Sequence, residues 1–220
     1  MRVLRVGTRP SPLAIKQFDE IQGVFPGVIF EKKIIYTLGD KDKLTPISAL
    51  EGSDFFTREI DEALLRGEID LGLHSSKDLP EKLRDGLKII FETKSISPFD
   101  ALVSKENVKL KDLPYAARVG TSSSRRKEQV KSVRGDLILV DVRGNIEERL
   151  NLINAGRIDA LVIAHAALIR LGLAHLATEI FTENRLKAHP KQGILALVSR
   201  EDRCKEVRFI LSEQAQATGN

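Results

Sequence analysis

Residues able to handle charge are concentrated where alternating apolar runs break off. Residues 69 to 80 follow a strand pattern that stops in a polar loop closed by Pro80, which delivers Lys77 and Asp78 to the strand's carboxyl end. In open α/β sheets ligands bind beyond the carboxyl ends of the strands, so chemistry is expected at this loop. Arg9 and Ser11 follow the run at 2 to 7, and Thr121, Ser122, Ser123, Arg125 and Arg126 follow that at 118 to 120. Arg143 and Arg149 follow the run at 137 to 142. Any one of these arginines, taken singly, reads as a solvated charge on a helix face. Together they make five guanidinium forks with hydroxyl donors around one carboxylate. A planar guanidinium grips a carboxylate through two hydrogen bonds, so the set suits a ligand bearing several carboxylates. Phosphate is the rival anion, although no Gly-x-x-x-x-Gly-Lys loop or dinucleotide fingerprint is present. Asp78 would repel either anion. Its place makes sense if positive charge develops on a substrate during reaction, because a fixed carboxylate in a dry cleft stabilises that charge.

The elements that must position these residues follow from periodicity and caps. Residues 2 to 7 alternate as a strand, then Ser11 and Pro12 supply an N-cap and a first-turn proline for a helix through Leu13 and Gln17. The turn between them leaves backbone N–H groups suited to an anion. Residues 28 to 37 read as a second strand, and a mobile, polar segment is expected from about 39 to 53. Phe56, Ile60, Ala63 and Leu64 share one helical face, with Asp54 expected as the cap and Gly67 as the stop. Strands at 69 to 73, 87 to 91 and 100 to 104 follow, and Lys94 to Pro98 has the composition of a crossover or hinge. Strand 137 to 142, helix 146 to 155, strand 158 to 164 and a helix carrying Leu168, Ile169 and Leu171 complete the pattern. Two internal echoes bear on the architecture. Val6-Gly7-Thr8 is matched by Val119-Gly120-Thr121, and Gly67-Glu68-Ile69-Asp70 by Gly156-Arg157-Ile158-Asp159. The economical fold is α/β, with two similar lobes and a ligand cleft between them.

Composition narrows the function classes. With 220 residues, 42% hydrophobic and 30% charged, the chain is globular and can bury a substantial core. Apolar runs are too short for a bilayer span and Met1 opens onto strand-like alternation, so no signal peptide and no membrane partner are expected and the reading is cytoplasmic. Cys204 is the single cysteine, which excludes an internal disulfide, and the four histidines lack short ligand spacing, so no metal site is expected. A net charge of +4 admits an acidic partner, but 5% aromatic residues and the absence of zinc-finger or RNP patterns argue against nucleic acid. Cys204, between Arg203 and Lys205 on an amphipathic stretch, reads as a packing or surface residue rather than a nucleophile, although such flanking charges can lower a thiol pKa.

Four motifs in register carry a specific resemblance. Val6-Gly7-Thr8-Arg9-x-Ser11-x-Leu13-Ala14, His74-Ser75-x-Lys77-Asp78-x-Pro80, Val119-Gly120-Thr121-Ser122-Ser123-x-Arg125-Arg126 and Arg143-Gly144-Asn145-x-x-x-Arg149-Leu150 resemble those of the porphobilinogen deaminase (hydroxymethylbilane synthase) family. Leu168-x-Arg170-Leu171-Gly172 extends the match. The resemblance implies two lobes of periplasmic-binding-protein type II character joined by a hinge, with residues 1–94 plus 190–220 as lobe 1 and 98–187 as lobe 2. It implies a transferase of tetrapyrrole (haem or corrinoid) biosynthesis that condenses four porphobilinogen units head to tail with loss of ammonia. By the same resemblance Asp78 is the catalytic carboxylate, and Arg9, Ser11, Lys77, Thr121, Ser122, Ser123, Arg125, Arg126, Arg143, Arg149 and Arg170 hold carboxylates of substrate, growing chain or a dipyrromethane cofactor. Departures are Gly52-Ser53-Asp54 for Gly-Lys-Gly, Phe99 for an arginine, and Lys191-Gln192-Gly193 for Gly-Gln-Gly. The family's third domain, whose cysteine tethers the cofactor, is expected to be absent; either a separate polypeptide supplies an equivalent, or a pyrrole oligomer is held by the arginine cleft alone. Cys204 is not the expected tether, and the rival function is a polycarboxylate- or pyrrole-binding protein without turnover.

Overall fold

The computed structural model describes residues 3–42, 45, 53–182 and 186–216. The chain divides into two compact units. The first gathers the described residues of Met1–Asp42, Gly52–Lys94 and Ile194–Asn220, the second those of Lys43–Glu51 and Ser95–Gly193.

Unit 1 is built on β1 (Val3–Thr8), β2 (Ile29–Ile34), β3 (Leu71–Ser75), β4 (Leu87–Glu92) and a strand late in the chain, β10 (Leu195–Arg200). Their order is β2-β1-β3-β10-β4. The pairs of β1 with β2 and β3 are parallel, whereas β10 runs antiparallel to both β3 and β4. Helices cover both faces. α1 (Pro12–Val24) and α7 (Cys204–Gln216) pack Phe18, Ile21, Val207 and Leu211 with Leu71, Leu73 and Leu197 of the sheet. On the other face α3 (Arg58–Leu65) buries Ile60, Ala63 and Leu64 against Ile69 and Val198. Burial on two sides explains why the central strands read as near-continuous apolar runs rather than as alternation.

Unit 2 repeats this plan. Its strands are β5 (Asp100–Ser104), β6 (Arg118–Gly120), β7 (Ile138–Val140), β8 (Ala160–Ala164) and β9 (Glu179–Phe181), ordered β7-β6-β8-β5-β9. Again the first three are parallel and the fourth is antiparallel to its neighbours. Its helices are α4 (Ser124–Val133), α5 (Ile146–Asn154) and α6 (His165–Arg170); unit 1 also holds the one-turn α2 (Leu38–Lys41). The likeness extends to single atoms. Arg5 grips Asp70 through Nε and Nη2 at 3.0 Å each while Nη2 also donates to the Gly67 carbonyl at 2.9 Å. Arg118 does the same to Asp159 at 3.3 and 3.1 Å and to the Gly156 carbonyl at 2.9 Å. Each latch thus joins the arginine just before the first echo to the glycine and aspartate of the second. Gly7 and Gly120 are also equivalent, since a Cβ on either would run into an isoleucine, Ile69 at 2.5 Å or Ile158 at 2.7 Å.

Local chemistry sets most boundaries. Ser11 caps α1, its hydroxyl accepting from the Ala14 N–H at 3.2 Å, and Pro12 opens the helix. Asn145 and Glu148 form a reciprocal capping box at the start of α5. Gly67 and Gly156 follow α3 and α5 with φ of 70° and 62°, conformations that glycine adopts without a Cβ penalty. The expected cap at Asp54 is corrected. α3 starts at Arg58 with Thr57 at the cap position, and the Asp54 carboxylate is instead held by Arg58 at 2.7 and 2.8 Å. The segment expected to be mobile from 39 to 53 lies mostly outside the described residues; its start forms α2. β10 has no counterpart in the sequence reading.

One buried charge in unit 1 has a measurable consequence. Asp61 on α3 is 3% exposed, and its Oδ1 has no hydrogen-bond partner. Burial pushes its carboxyl up to about 6, against a hydrogen bond to Thr57 that pulls it down. An acid whose folded pKa is raised stabilises the fold when protonated, so this contribution is full below about pH 4 and is lost as pH rises through about 6. Asp61→Asn removes that dependence. In thermal melts the variant's advantage over the parent is expected to grow between about pH 4 and pH 6, up to about 3 kcal/mol, and to stay level above that. A constant difference across this range defeats the assignment.

Candidate active site

Each unit carries its own half of the expected constellation. In unit 1 the loop after β1 and the turn after β3 border one pocket, lined by Arg9, Ser11, Gln17, Phe56, His74, Ser75 and Asp78 among others. Asp78 ends a 3-10 turn, Ser76–Asp78, and is exposed; Lys77 shares the turn, half-buried and outside the pocket lining. The turn is anchored at its start. The Ser76 N–H donates to the Ile194 carbonyl at 2.9 Å, and the buried Ser76 hydroxyl donates to Glu92. Gln17 Nε2 donates to Ser75 Oγ at 2.8 Å across the pocket floor.

Arg9 does not stand as an open cation. Its Nη2 and Nε bind Asp40 at 2.5 and 3.1 Å, and its guanidinium lies 4.5 Å from the Phe56 ring centroid. Burial pushes the Asp40 carboxyl up, but hydrogen bonds from Arg9 and Thr37 outweigh it and hold the group below the ordinary carboxylate range. His74 is buried, with Nε2 unpartnered. Burial, and then the charge of Arg9, push it down to about 4, so the pocket contains a neutral imidazole near pH 7. That leaves His74 a packing group rather than a proton acceptor.

In unit 2 the carboxyl ends of the adjacent parallel strands β7, β6 and β8 carry the remaining residues. Thr121 is fully buried just beyond β6, and its Oγ1 has no hydrogen-bond partner. Ser122 donates to the Val142 carbonyl, and half-buried Ser123 takes the cap position of α4 without a side-chain cap bond. Arg149 on α5 donates through Nε to the Gly144 carbonyl at 2.9 Å, and Arg143 is half-buried in the same loop. Arg170, ending α6, donates through Nη2 to the Gly193 carbonyl at 2.8 Å. Arg125 and Arg126, in the first turn of α4, converge on one side chain. Asp100 is 0% exposed and accepts from Arg125 Nη2 at 3.0 Å and from Arg126 Nη2 at 2.5 Å.

The expectation of many cations around a single carboxylate is thus corrected. Three carboxylates belong to the set, because Asp40 holds Arg9 and Asp100 holds Arg125 and Arg126. Sequence signals for both exist. Thr37 three residues before Asp40 is capping-box spacing, and Asp100 heads a fully buried strand with an apolar centre, where a charge requires a partner. Gln192, completely buried on the same carboxylate, was noted in the sequence only as part of a variant motif. Cys204 lies in the core of unit 1 and donates to the Arg200 carbonyl at 3.2 Å. Burial pushes its thiol up despite Arg208 and Lys88 nearby, so the flanking charges do not activate it.

Comparisons with known proteins bear on the family and the fold class. Residues 4–207 match the family model described as porphobilinogen deaminase, dipyromethane cofactor binding domain. The porphobilinogen deaminase of Natranaerobius thermophilus is 38% identical over 98% of this chain, and that of Geobacter metallireducens 40% identical over 90%. The chain spans 72% and 64% of those relatives' own lengths. Among solved structures, a nutrient-binding protein from Burkholderia cenocepacia bound to methionine superposes with a TM-score of 0.57 at 16% identity, covering 98% of this chain and 92% of that one. A putative methionine-binding lipoprotein from Bacillus subtilis gives 0.56 at 13%, covering 98% and 91%. At such identities the likeness is one of fold, the two-lobed type II binding-protein class.

The shared carboxylate separates the two neighbouring arginines. Arg126→Met leaves Asp100 buried with half its charge partners and is expected to cost about 3–5 kcal/mol in chemical denaturation. Arg125, 30% exposed at its side chain, leaves Asp100 held by Arg126. Arg125→Met is therefore expected to cost about 1 kcal/mol or less. Equal losses for the two variants contradict the division.

Proposed function

The chain belongs to the porphobilinogen deaminase family, and on that premise we propose that it takes part in hydroxymethylbilane synthase chemistry, condensing four porphobilinogen units with release of ammonia. The observation that carries the reading is Asp78 lining the same pocket as Arg9 and Ser11. Recognition of a polycarboxylate alone has no use for Asp78 there, so the rival of a binding protein without turnover is disfavoured.

In each round the aminomethyl C–N bond of porphobilinogen breaks and ammonia leaves with the electron pair, so positive charge spreads over the pyrrole. A C–C bond then forms to the free α-carbon of the preceding pyrrole, which loses its proton. Asp78 is assigned the pyrrole N–H and the developing cation, a contact stronger in the transition state than in the ground state. Arg9, Ser11 and Lys77 in unit 1, and Thr121, Ser122, Ser123, Arg125, Arg126, Arg143, Arg149 and Arg170 in unit 2, are assigned the acetate and propionate groups.

A dipyrromethane fits the donor set of unit 2, where the buried Thr121 Oγ1 and Arg126 Nε lack partners and suit carboxylate oxygens. When bound, that group supplies the primer pyrrole to which units are added. Attachment through Cys204 does not fit, since the thiol is a core residue of unit 1. We assign the tether to a third-domain equivalent outside the described residues. Mass spectrometry of co-purifying proteins reads directly whether a separate polypeptide carries it.

Asp78→Asn is expected to retain fold and porphobilinogen binding while ammonia release falls about a hundredfold or more, the scale of one lost transition-state contact. Turnover near that of the parent protein removes Asp78 from the chemistry.

A further inference from the structure

Gln192 is completely buried in unit 2, yet its side chain does nothing for the apolar core. Its Nε2 donates to Asp100 Oδ1 at 2.8 Å, and its Oε1 accepts from Arg126 Nη2 at 3.2 Å. An ionised carboxylate only accepts and a guanidinium only donates, so the amide has a single satisfiable orientation. It closes a three-membered ring of hydrogen bonds with the 2.5 Å contact of Arg126 on Asp100. Without it, the shared Nη2 of Arg126 would keep one acceptor, and the guanidinium plane would be free to turn about that single contact.

The backbone around the amide is fixed as firmly as its side chain. The Gln192 N–H donates to the His189 carbonyl at 2.9 Å, and its carbonyl accepts from Ser95 Oγ at 2.7 Å. Gly193 follows at φ 80°, with its carbonyl accepting from Arg170 Nη2 at 2.8 Å and from the Ile96 N–H at 3.3 Å. A Cβ on Gly193 would fall 2.5 Å from both Ser95 Oγ and the Ser97 carbonyl, so the two strands of chain lie in close contact. Residues 95–98 and 189–193 are the segments of unit 2 next to two of the points where the chain passes between the units, after Lys94 and after Gly193. The amide thus ties an arginine of the candidate site to the part of unit 2 where the chain enters and leaves it.

We propose that Gln192 is a positioning residue, which holds the Arg126 guanidinium in the orientation that receives a substrate carboxylate and fixes it to the 95–98 and 189–193 segments. This rests on the porphobilinogen reading for the identity of the ligand but not for the geometry. Arg126 Nε is buried and without a hydrogen-bond partner, and its direction is set by the plane that Gln192 pins through Nη2. Gln192 itself touches no reacting atom.

Two variants of the full chain test this. Gln192→Met keeps the length and removes the side chain's hydrogen bonds to Asp100, to the Pro98 carbonyl and from Arg126, while Gln192→Glu keeps an acceptor for Arg126 and sets a second anion beside Asp100. With porphobilinogen as ligand, Gln192→Met is expected to raise KM about tenfold with a smaller change in kcat, the loss of a charge-assisted hydrogen bond that acts in binding. Gln192→Glu is expected to raise KM further, because its carboxylate competes for Arg126. The Arg126 Nε–H resonance in a 15N NMR spectrum is a reading that needs no substrate. It is expected to be a single sharp line in the parent and to broaden or move in Gln192→Met. If Gln192→Met does not fold, the KM and resonance of Gln192→Glu carry the test. Unchanged KM and an unchanged Arg126 resonance in a folded variant overturn the proposal. A parent protein that ignores porphobilinogen sinks the functional reading alone, since the resonance still decides the role of Gln192.

Discussion

A carboxylate removed completely from water must be paired, and Asp100 is the group on which this requirement falls most heavily. It opens β5, which lies between β8 and β9 in the second sheet, and it draws to itself Arg125 and Arg126 from the first turn of α4 and Gln192 from the segment before β10. Three separate stretches of chain are thereby fixed to one point. The fixed charge also decides what the arginines have to offer, because the Nη2 of each is already engaged. The Nε of Arg126 and the buried hydroxyl of Thr121 are left without hydrogen-bond partners. Side chains held in this way have little freedom left to reorganise.

The same logic acts in the first unit with different residues. Arg9 is held by Asp40 and lies over Phe56, so its position is set before any ligand is present. The pocket it shares with Asp78 also contains a histidine kept neutral by burial and by Arg9, which leaves Asp78 as the carboxylate free of a guanidinium partner there. Arg9, Arg125 and Arg126 are thus held by internal acids, whereas Asp78 is an exposed carboxylate in its pocket.

Beneath the sites lies a duplicated scaffold. The sheets share strand order and directions, and each places its antiparallel strand fourth, β10 in one and β5 in the other. The latches Arg5 to Asp70 and Arg118 to Asp159 join the first strand of each parallel pair to the turn that precedes the next. Hydrogen bonds from Arg118 hold the Asp159 carboxyl below its ordinary range, and those from Arg5 overcome burial to do the same for Asp70. The same polar clasp appears wherever the chain must turn from a helix through glycine into a central strand.

The sequence by itself determined the parts written within a few residues of one another. Ser11 with Pro12, the glycines at 67 and 156, the apolar strand runs and the polar strand ends all depend on local backbone preference and periodicity, and the echoes between halves exposed the repeated unit. The four motifs also brought out the family, which the match over residues 4–207 shows. Tertiary structure decided the pairings. Asp40 lies 31 residues from Arg9, Asp100 lies 26 from Arg126, and Gln192 lies 92 from Asp100, separations at which no local pattern links one side chain to another. For the same reason β10 was missed, since its partners β3 and β4 lie more than a hundred positions earlier and an apolar run near a chain end does not declare its neighbours. The type of each charged residue was legible, but whether it faces a ligand or a buried counter-charge is settled by which distant strand brings its partner, because a desolvated charge must be satisfied within the fold.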